Sequence, residues 1–182
     1  TAVAVNQADV WGYVATGGAT PQVGTNGSIR GATTATGVKI DQRRVSTDFN
    51  ADFPVISNPT DGALLLTLGP TLGTPGLTTR WRTPSINLSG RQTLTILGHV
   101  ILTLTAGSRA DALSVTGSAM IIIAPDSSLK IYTEGNVTIA GLGLRNSNIQ
   151  PVSMQLWGTN TSLSGQSIDI VGNGALRAIT YA

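Results

Sequence analysis

The chain has 182 residues, with 22 glycines, 8 prolines and no cysteine. Charged residues make up 11% of it, against roughly 25% in an average soluble domain. Its two lysines and single glutamate are too few to build amphipathic helices, which excludes a helical bundle. Hydrophobic residues make up 41% and recur at regular intervals, which argues against a disordered chain.

The composition favours strands and excludes several kinds of partner. The 25 threonines, with many valines and isoleucines, favour strands because a branched Cβ packs better on a pleated surface. We therefore predict an all-β protein of one domain. The formal net charge of +2 is spread along the chain and forms no basic stretch, so we expect no nucleic-acid partner. With no cysteine and one histidine we also expect no metal and no cofactor.

The first half of the chain contains weak strand signals. Short candidates at 2–5, 10–14, 28–30 and 38–40 are separated by glycine, proline and Asn-Gly turns. The segment 45–84 is predicted to be a loop or lid that holds at most one short helix, at 46–53. This helix would be capped by Ser46 or Thr47 and stopped by Pro54.

The second half contains ten short alternating segments bounded by Gly, Asn, Asp and Ser: 86–88, 94–96, 100–104, 113–115, 120–123, 129–132, 137–140, 154–157, 168–171 and 176–179. Their spacing repeats. Aliphatic positions recur 26, 27 and 24 residues apart in the pairs Ile96 and Ile122, Leu104 and Ile131, and Val115 and Ile139.

A repeat of this length is typical of a solenoid coil of three strands and three turns. We therefore predict a single-stranded, right-handed parallel β-helix that covers residues 1–182. Residues 1–44 would be N-terminal coils and residues 85–182 would be C-terminal coils. Glycines at the corners, such as Gly90 and Gly98, would let the chain change direction without a Cβ clash.

Candidate catalytic residues are sparse. His99 is the only histidine and has no carboxylate near it in sequence, so we expect a structural or solvent-facing role. If the protein is an enzyme, the candidates are Asp48, Asp52, Arg43 and Arg44, which lie close together in sequence. Paired carboxylates can carry acid–base work or hold a hard cation. The alternative is that Asp48 caps the short helix and pairs with Arg43 or Arg44 at the surface.

Two further groups of residues, the outward threonines and the aromatic residues, are considered as binding surfaces. Rows of outward threonines could match ice or sugar hydroxyls, and the candidates are Thr93, Thr95, Thr103, Thr105, Thr116 and Thr138.

Trp11 and Tyr13 fall on one strand face and Trp157 ends a strand, and we interpret all three as packing beneath loops. Aromatic residues are 4% of the chain, which is few for a sugar-stacking platform.

The longest purely apolar run is 119–124, far short of the roughly 20 residues that span a bilayer. We therefore expect no membrane insertion by this segment. Because Thr1 is not an initiator methionine, we expect any targeting segment to have been cleaved or to lie outside the chain.

Two stretches resemble a β-helical domain of bacterial envelope proteins associated with type IV pili, which often follows a pilin-like N-terminal membrane segment. The first is 8–18 (ADVWGYVATGG) followed by 24–31, and the second is 129–141 (LKIYTEGNVTIAG) followed by 154–159 (MQLWGT). Trp157 stands where that family usually has tyrosine. The resemblance implies a structural or adhesive role outside the cytoplasm and brings no catalytic residues with it.

Both ends of the chain read as strand, and unpaired strand edges invite partners. We predict assembly ends at Ala2, Val3, Val5, Leu176, Ile179 and Tyr181.

The favoured function is a non-enzymatic structural or adhesive module of a bacterial cell surface, pilus or extracellular filament. Its partners would be further copies of itself or a neighbouring envelope or pilus protein, with a glycan as another candidate. One alternative is a polysaccharide lyase or hydrolase of the β-helix type. A second alternative is an ice- or glycan-binding solenoid.

Overall fold

The computed structural model describes residues 3–5, 7, 9–49, 56–107, 110–140, 142–148, 150–161, 165–170 and 178–181. Within these residues every regular element is a β-strand, apart from two single-turn 3-10 helices at Gln42–Arg44 and Pro151–Ser153. The predicted all-β class is confirmed. The chain divides into two compact units, Thr1–Pro54 and Val55–Ala182. That both belong to one continuous β-helix stays a prediction.

The first unit contains six short strands: β1 (Ala4–Val5), β2 (Asp9–Trp11), β3 (Val14–Ala15), β4 (Gln22–Val23), β5 (Ser28–Arg30) and β6 (Val45–Ser46). They form three parallel pairs, in which β1 lies beside β4, β2 beside β5 and β3 beside β6. Val5 and Ile29 are buried at the centre of this unit. Of the predicted strand at 38–40, only Ile40 pairs, in a parallel bridge to Ile29.

The predicted helix at 46–53 is wrong for its described residues. Ser46 lies in β6, where it pairs with Ala15, and Asp48 forms an antiparallel bridge with Gly17. Pairing with a neighbouring strand therefore takes precedence over the local capping signal. Residues 50–53 lie outside the described residues.

The second unit contains twelve strands among its described residues: β7 (Ala63–Leu64), β8 (Thr71–Thr83), β9 (Ile86–Leu88), β10 (Thr93–Leu104), β11 (Asp111–Val115), β12 (Met120–Ile123), β13 (Ser128–Thr133), β14 (Asn136–Ile139), β15 (Gly143–Asn146), β16 (Met154–Gly158), β17 (Ile168–Ile170) and β18 (Ile179–Tyr181). They form one sheet of eight strands and one of four, and all pairings between these strands are parallel.

The strands of the second unit lie in three parallel stacks. The first halves of β8 and β10 stack with β12 and β15, while their second halves stack with β7, β13, β16 and β18. The third stack is β9, β11, β14 and β17. The four passes that begin with β8, β10, β12 and β15 each contribute one strand, or one half of a long strand, to each stack, whereas β7 and β18 belong to the second stack alone.

The predicted loop at 45–84 is wrong over its last third, because β8 is a strand of thirteen residues. Its Gly73, Pro75 and Gly76 look like turn signals in the sequence. In the structure they form an irregularity within the strand, where the register against β10 shifts between Leu97 and His99. A bulge accommodates glycine and proline without ending the strand.

Two of the three predicted registers need correction. Val115 pairs with Ile139, as predicted. Ile96, however, pairs with Ile123 instead of Ile122, and Ile131 pairs with Leu102 instead of Leu104. The run Met120–Ile123 has no polar alternation, so the sequence does not show which of its side chains face the core.

The core of the second unit consists of aliphatic side chains that repeat from strand to strand, including Ile96, Ile123, Leu102, Ile131 and Leu156. Parallel strands with one face buried place equivalent side chains directly above one another. The result is a continuous apolar interior along all three stacks.

Hydrogen bonds with a polar side chain stabilise the turn after β12. Asp126 takes a left-handed φ of 57°, and its amide donates to Asn148 Oδ1 at 2.8 Å. The Nδ2 of Asn148 donates to the carbonyls of Ala124 and Ser127, at 3.2 and 2.7 Å. A side chain from the following pass thus satisfies the backbone groups of this turn.

Candidate functional site

The arginines predicted as catalytic candidates gather around Asp41, in the first unit. Asp41 caps the 3-10 helix and accepts two hydrogen bonds from the Arg43 guanidinium, both at 3.0 Å. The hydroxyl of Thr34 donates to the same carboxylate at 2.8 Å, and Arg44 Nε lies 3.7 Å from it. Hydrogen bonds from Arg43 and then Thr34 hold the pKa of Asp41 far below its usual range.

Asp48 has other partners. It accepts a hydrogen bond of 2.6 Å from the hydroxyl of Ser46, and this bond lowers its pKa. Asp52 lies outside the described residues. Arg43 forms its ion pair with Asp41 and not with Asp48, contrary to the surface pairing suggested by the sequence. The described residues therefore do not assemble the predicted catalytic group.

The ion pair at Asp41 makes the first unit sensitive to acid. The pKa of Asp41 is lower in the folded chain than in the unfolded chain, where it is about 3.9. Its carboxylate therefore stabilises the fold above about pH 4, and this contribution disappears as the pH falls towards the lowered pKa. At pH 6 we expect Asp41→Asn to have a lower urea midpoint than the native chain. When the pH is lowered from 6 to 3, the midpoint of Asp41→Asn should fall by a smaller amount than that of the native chain.

The control for this measurement is Asp111→Asn, which changes an exposed carboxylate at the start of β11. It makes the same change of charge and should leave the ion pair between Asp41 and Arg43 intact. An Asp41→Asn variant with an unchanged acid slope would contradict the role of this carboxylate.

A second cluster joins two exposed aromatic rings to two arginines. Trp11 ends β2 and Tyr13 follows it at the corner, with 66% and 76% of their surfaces exposed. The Arg30 guanidinium lies 5.5 Å from the Trp11 ring centroid, and that of Arg44 lies 4.9 Å from the Tyr13 centroid. The prediction that these rings pack beneath loops is wrong.

The partners of these rings follow from strand pairing. Arg30 is the parallel neighbour of Trp11, so its side chain lies beside the ring on the same face. Arg30 also forms an ion pair with Asp9 at 3.0 Å. The hydroxyl of Ser28 donates a second hydrogen bond to Asp9, and it is the larger cause of that residue's lowered pKa.

The second unit has an aromatic row along one stack. Tyr132, Trp157 and Tyr181 are register neighbours on β13, β16 and β18. Their ring centroids are 6.4 Å apart for the first pair and 5.5 Å for the second. Trp157 Nε1 donates to the Gln155 amide oxygen at 3.2 Å. The rings lie against one another and so stabilise the pairing of these strands.

The predicted threonine rows do not form in the observed registers. Thr95 lies beside Thr71 on one side but beside Ile122 on the other. Thr103 is buried and lies between Arg82 and Tyr132 in the same stack. Thr93 pairs with Met120, and Thr138 lies between Ser114 and Asp169. These neighbours interrupt any flat array of hydroxyls.

His99 is exposed, and its Nδ1 lies 3.0 Å from the Ser128 hydroxyl, in agreement with the structural or solvent-facing role expected. In the part of the chain that the structure describes, no group of three or more His, Cys, Asp or Glu side chains is arranged to hold a metal ion. No helix among the same residues is long and apolar enough to cross a membrane.

Four of the six residues predicted as assembly ends lie among the described residues, and each of the four pairs with another strand or residue of the chain. Val3 accepts a backbone hydrogen bond from Gln22, while Val5 is buried and pairs with Val23. Ile179 and Tyr181 pair with Gln155 and Trp157. The other two residues, Ala2 and Leu176, lie outside the described residues. Assembly through any of these positions stays a prediction.

Comparison with protein-family models, with curated proteins and with solved structures found no match to this chain.

Proposed function

We propose that the chain is a right-handed parallel β-helix with three strands per coil, acting as a non-enzymatic structural or adhesive module of a bacterial cell surface, pilus or extracellular filament. The observation that carries the proposal is the parallel pairing of every strand in the second unit within three stacks. Chain that passes repeatedly through the same three stacks is what a solenoid coil requires. The right hand follows the usual crossover between parallel strands.

A structural role is favoured over catalysis by what the charged side chains do. The Asp41 carboxylate serves to cap a turn and to pair with Arg43, and Asp48 serves to bind Ser46. Most glycoside hydrolase sites, whether retaining or inverting, place two carboxyl groups on either side of the scissile bond. Among the described residues, Asp41 and Asp48 are engaged in local contacts within the first unit instead.

The surface location is supported by the resemblance of residues 8–18 and 24–31, and of residues 129–141 and 154–159, to envelope domains associated with pili. A solenoid also presents long, rigid faces to its surroundings, which suits a scaffold or an adhesin. A neighbouring envelope protein, or another copy of the chain, is the partner that such a scaffold would contact along its strand edges.

Immunogold electron microscopy of the bacterium that carries the gene tests this proposal, with an antiserum raised against the purified chain. We expect label on the outer surface or on filaments, and none in a strain from which the gene has been deleted. Label confined to the cytoplasm would contradict the surface role.

The enzymatic alternative has its own test. Purified chain is incubated with pectin and with alginate, and the release of new reducing ends is followed. We expect no release above the buffer control. Release by the native chain that is lost in a folded Asp48→Asn variant would overturn the non-enzymatic role.

A further inference from the structure

We propose that Trp11 and Tyr13, together with Asp9 and Arg30, form a binding surface for an uncharged β-linked pyranose glycan. The proposal deepens the adhesive role and rests on it for the setting in which the glycan would be met. The surface lies wholly within the first unit.

The rings are exposed but held in place. A guanidinium lies over one face of each ring, from Arg30 at 5.5 Å or from Arg44 at 4.9 Å, while most of the side-chain surface faces solvent. Single exposed apolar side chains are normal, but Trp11 and Tyr13 are two large exposed aromatic rings only two residues apart, and aromatic residues are enriched at recognition surfaces.

The two arginines are themselves fixed. Arg30 is anchored by its ion pair with Asp9. The Arg44 guanidinium packs directly on Gly31, where an added Cβ would lie 2.2 Å from Cζ, and its Nε lies 3.7 Å from Asp41. Gly31 follows Arg30 directly, so the two ring–guanidinium pairs lie on neighbouring stretches of the first unit. Such preorganisation reduces the entropy lost when a ligand binds.

The charges around the rings favour an uncharged ligand. The guanidinium beside Trp11 is paired one to one with Asp9. Asp41 is already held by Arg43, and Arg44 Nε lies 3.7 Å from it, so the preference for an uncharged ligand arises on the Trp11 side of the surface. An anionic ligand there would have to compete with Asp9 for Arg30. A phosphate backbone or an acidic polysaccharide is therefore a poorer fit than a neutral one.

The polar groups beside Trp11 suit the vicinal hydroxyls of a sugar. Asp9 accepts bonds from Ser28 and Arg30 but is 41% exposed in its side chain, and a carboxylate has about four lone-pair positions. A sugar hydroxyl can donate to one of the remaining positions while its neighbour accepts from Arg30. The flat C–H face of a pyranose with equatorial substituents can then lie on an aromatic ring.

Isothermal titration of the full chain with cellohexaose and with chitohexaose tests the proposal, and heparin serves as the anionic comparison. We expect saturable binding of at least one neutral hexasaccharide, and none of heparin at equal concentration. Trp11→Ala and Tyr13→Ala should each weaken binding by about tenfold or more, which is the typical loss when a central contact is removed.

Two variants serve as controls. An added Cβ at Gly12, which lies between the two rings in sequence, meets nothing within 4 Å. Trp157→Ala removes an aromatic ring of the second unit instead. Both Gly12→Ala and Trp157→Ala should bind the glycan within about twofold of the native chain, well under the tenfold steps of a contact loss.

The proposal is overturned if neither neutral hexasaccharide binds at millimolar concentration, if heparin binds instead, or if binding survives in both ring variants. Circular dichroism of each variant checks that it is folded. Should Trp11→Ala fail to fold, Tyr13→Ala supplies the same test from a corner position outside the strand. Glycan binding with cytoplasmic immunogold label would refute the surface role alone, whereas surface label without binding would refute only this inference.

Discussion

Ile123→Ala should lower the free energy of unfolding by about 2–5 kcal/mol, the range measured for buried isoleucine or leucine cut to alanine. Ile123 is fully buried and pairs with Ile96 at the centre of the apolar interior. The neighbouring Ile122 pairs with Thr95 and is only partly buried, on the opposite face of the strand. Ile122→Ala should therefore cost no more than about 1 kcal/mol.

Urea unfolding of both variants and the native chain, followed by far-UV circular dichroism, measures this difference. The two residues are neighbouring isoleucines, so the same substitution is compared at two positions that differ in burial. Equal losses, or a greater loss in Ile122→Ala, would contradict the observed register and would agree with the pairing of Ile96 and Ile122 predicted from the sequence.

Gly98→Ala should be the most damaging of the glycine substitutions that can be matched with a control. Gly98 has a φ of 69°, and an added Cβ would lie 2.0 Å from the Thr74 carbonyl oxygen and 2.6 Å from that of Leu77. Gly90 has a similar φ of 62°, but its added Cβ would meet nothing within 4 Å. Both substitutions incur the left-handed strain of about 1–2 kcal/mol.

Only Gly98→Ala must also separate β8 from β10 at the bulge, since its obstacle is backbone and not a movable side chain. We expect a total loss of roughly 3–5 kcal/mol for it, in the range of severe single substitutions. Chemical denaturation of the two variants side by side, with their soluble yields, gives the comparison. A Gly98→Ala variant as stable as Gly90→Ala would show that the strands do not approach this closely.

Some strand pairings could be predicted from the sequence because the local polar–apolar pattern and the spacing between strands agree. Val115 and Ile139 lie in segments where polar and apolar residues alternate between glycine-containing corners, so their face and their spacing are both evident. The run of three isoleucines at 121–123 has no such alternation, and the one-residue error in its register follows from that.

Only part of the candidate site could be predicted from the sequence. Asp41 and Arg43 are two residues apart, so their proximity follows from the sequence, although the choice of Asp41 over Asp48 as the partner does not. Trp11 and Arg30 are brought together by the register of β2 against β5. Arg44 lies over Tyr13 with its guanidinium packed on Gly31, and neither contact follows from the sequence pattern.

The sequence by itself determined the β class, the absence of helical bundles and the spacing at which strands recur, because β-branched content, alternation and glycine corners act within a few residues. Tertiary structure decided which isoleucine enters the core, that 71–83 continues as a strand through a bulge, and which arginine lies beside each exposed ring. These outcomes depend on contacts between strands about 20 residues or more apart, where register and packing, and not local preference, determine the lowest free energy.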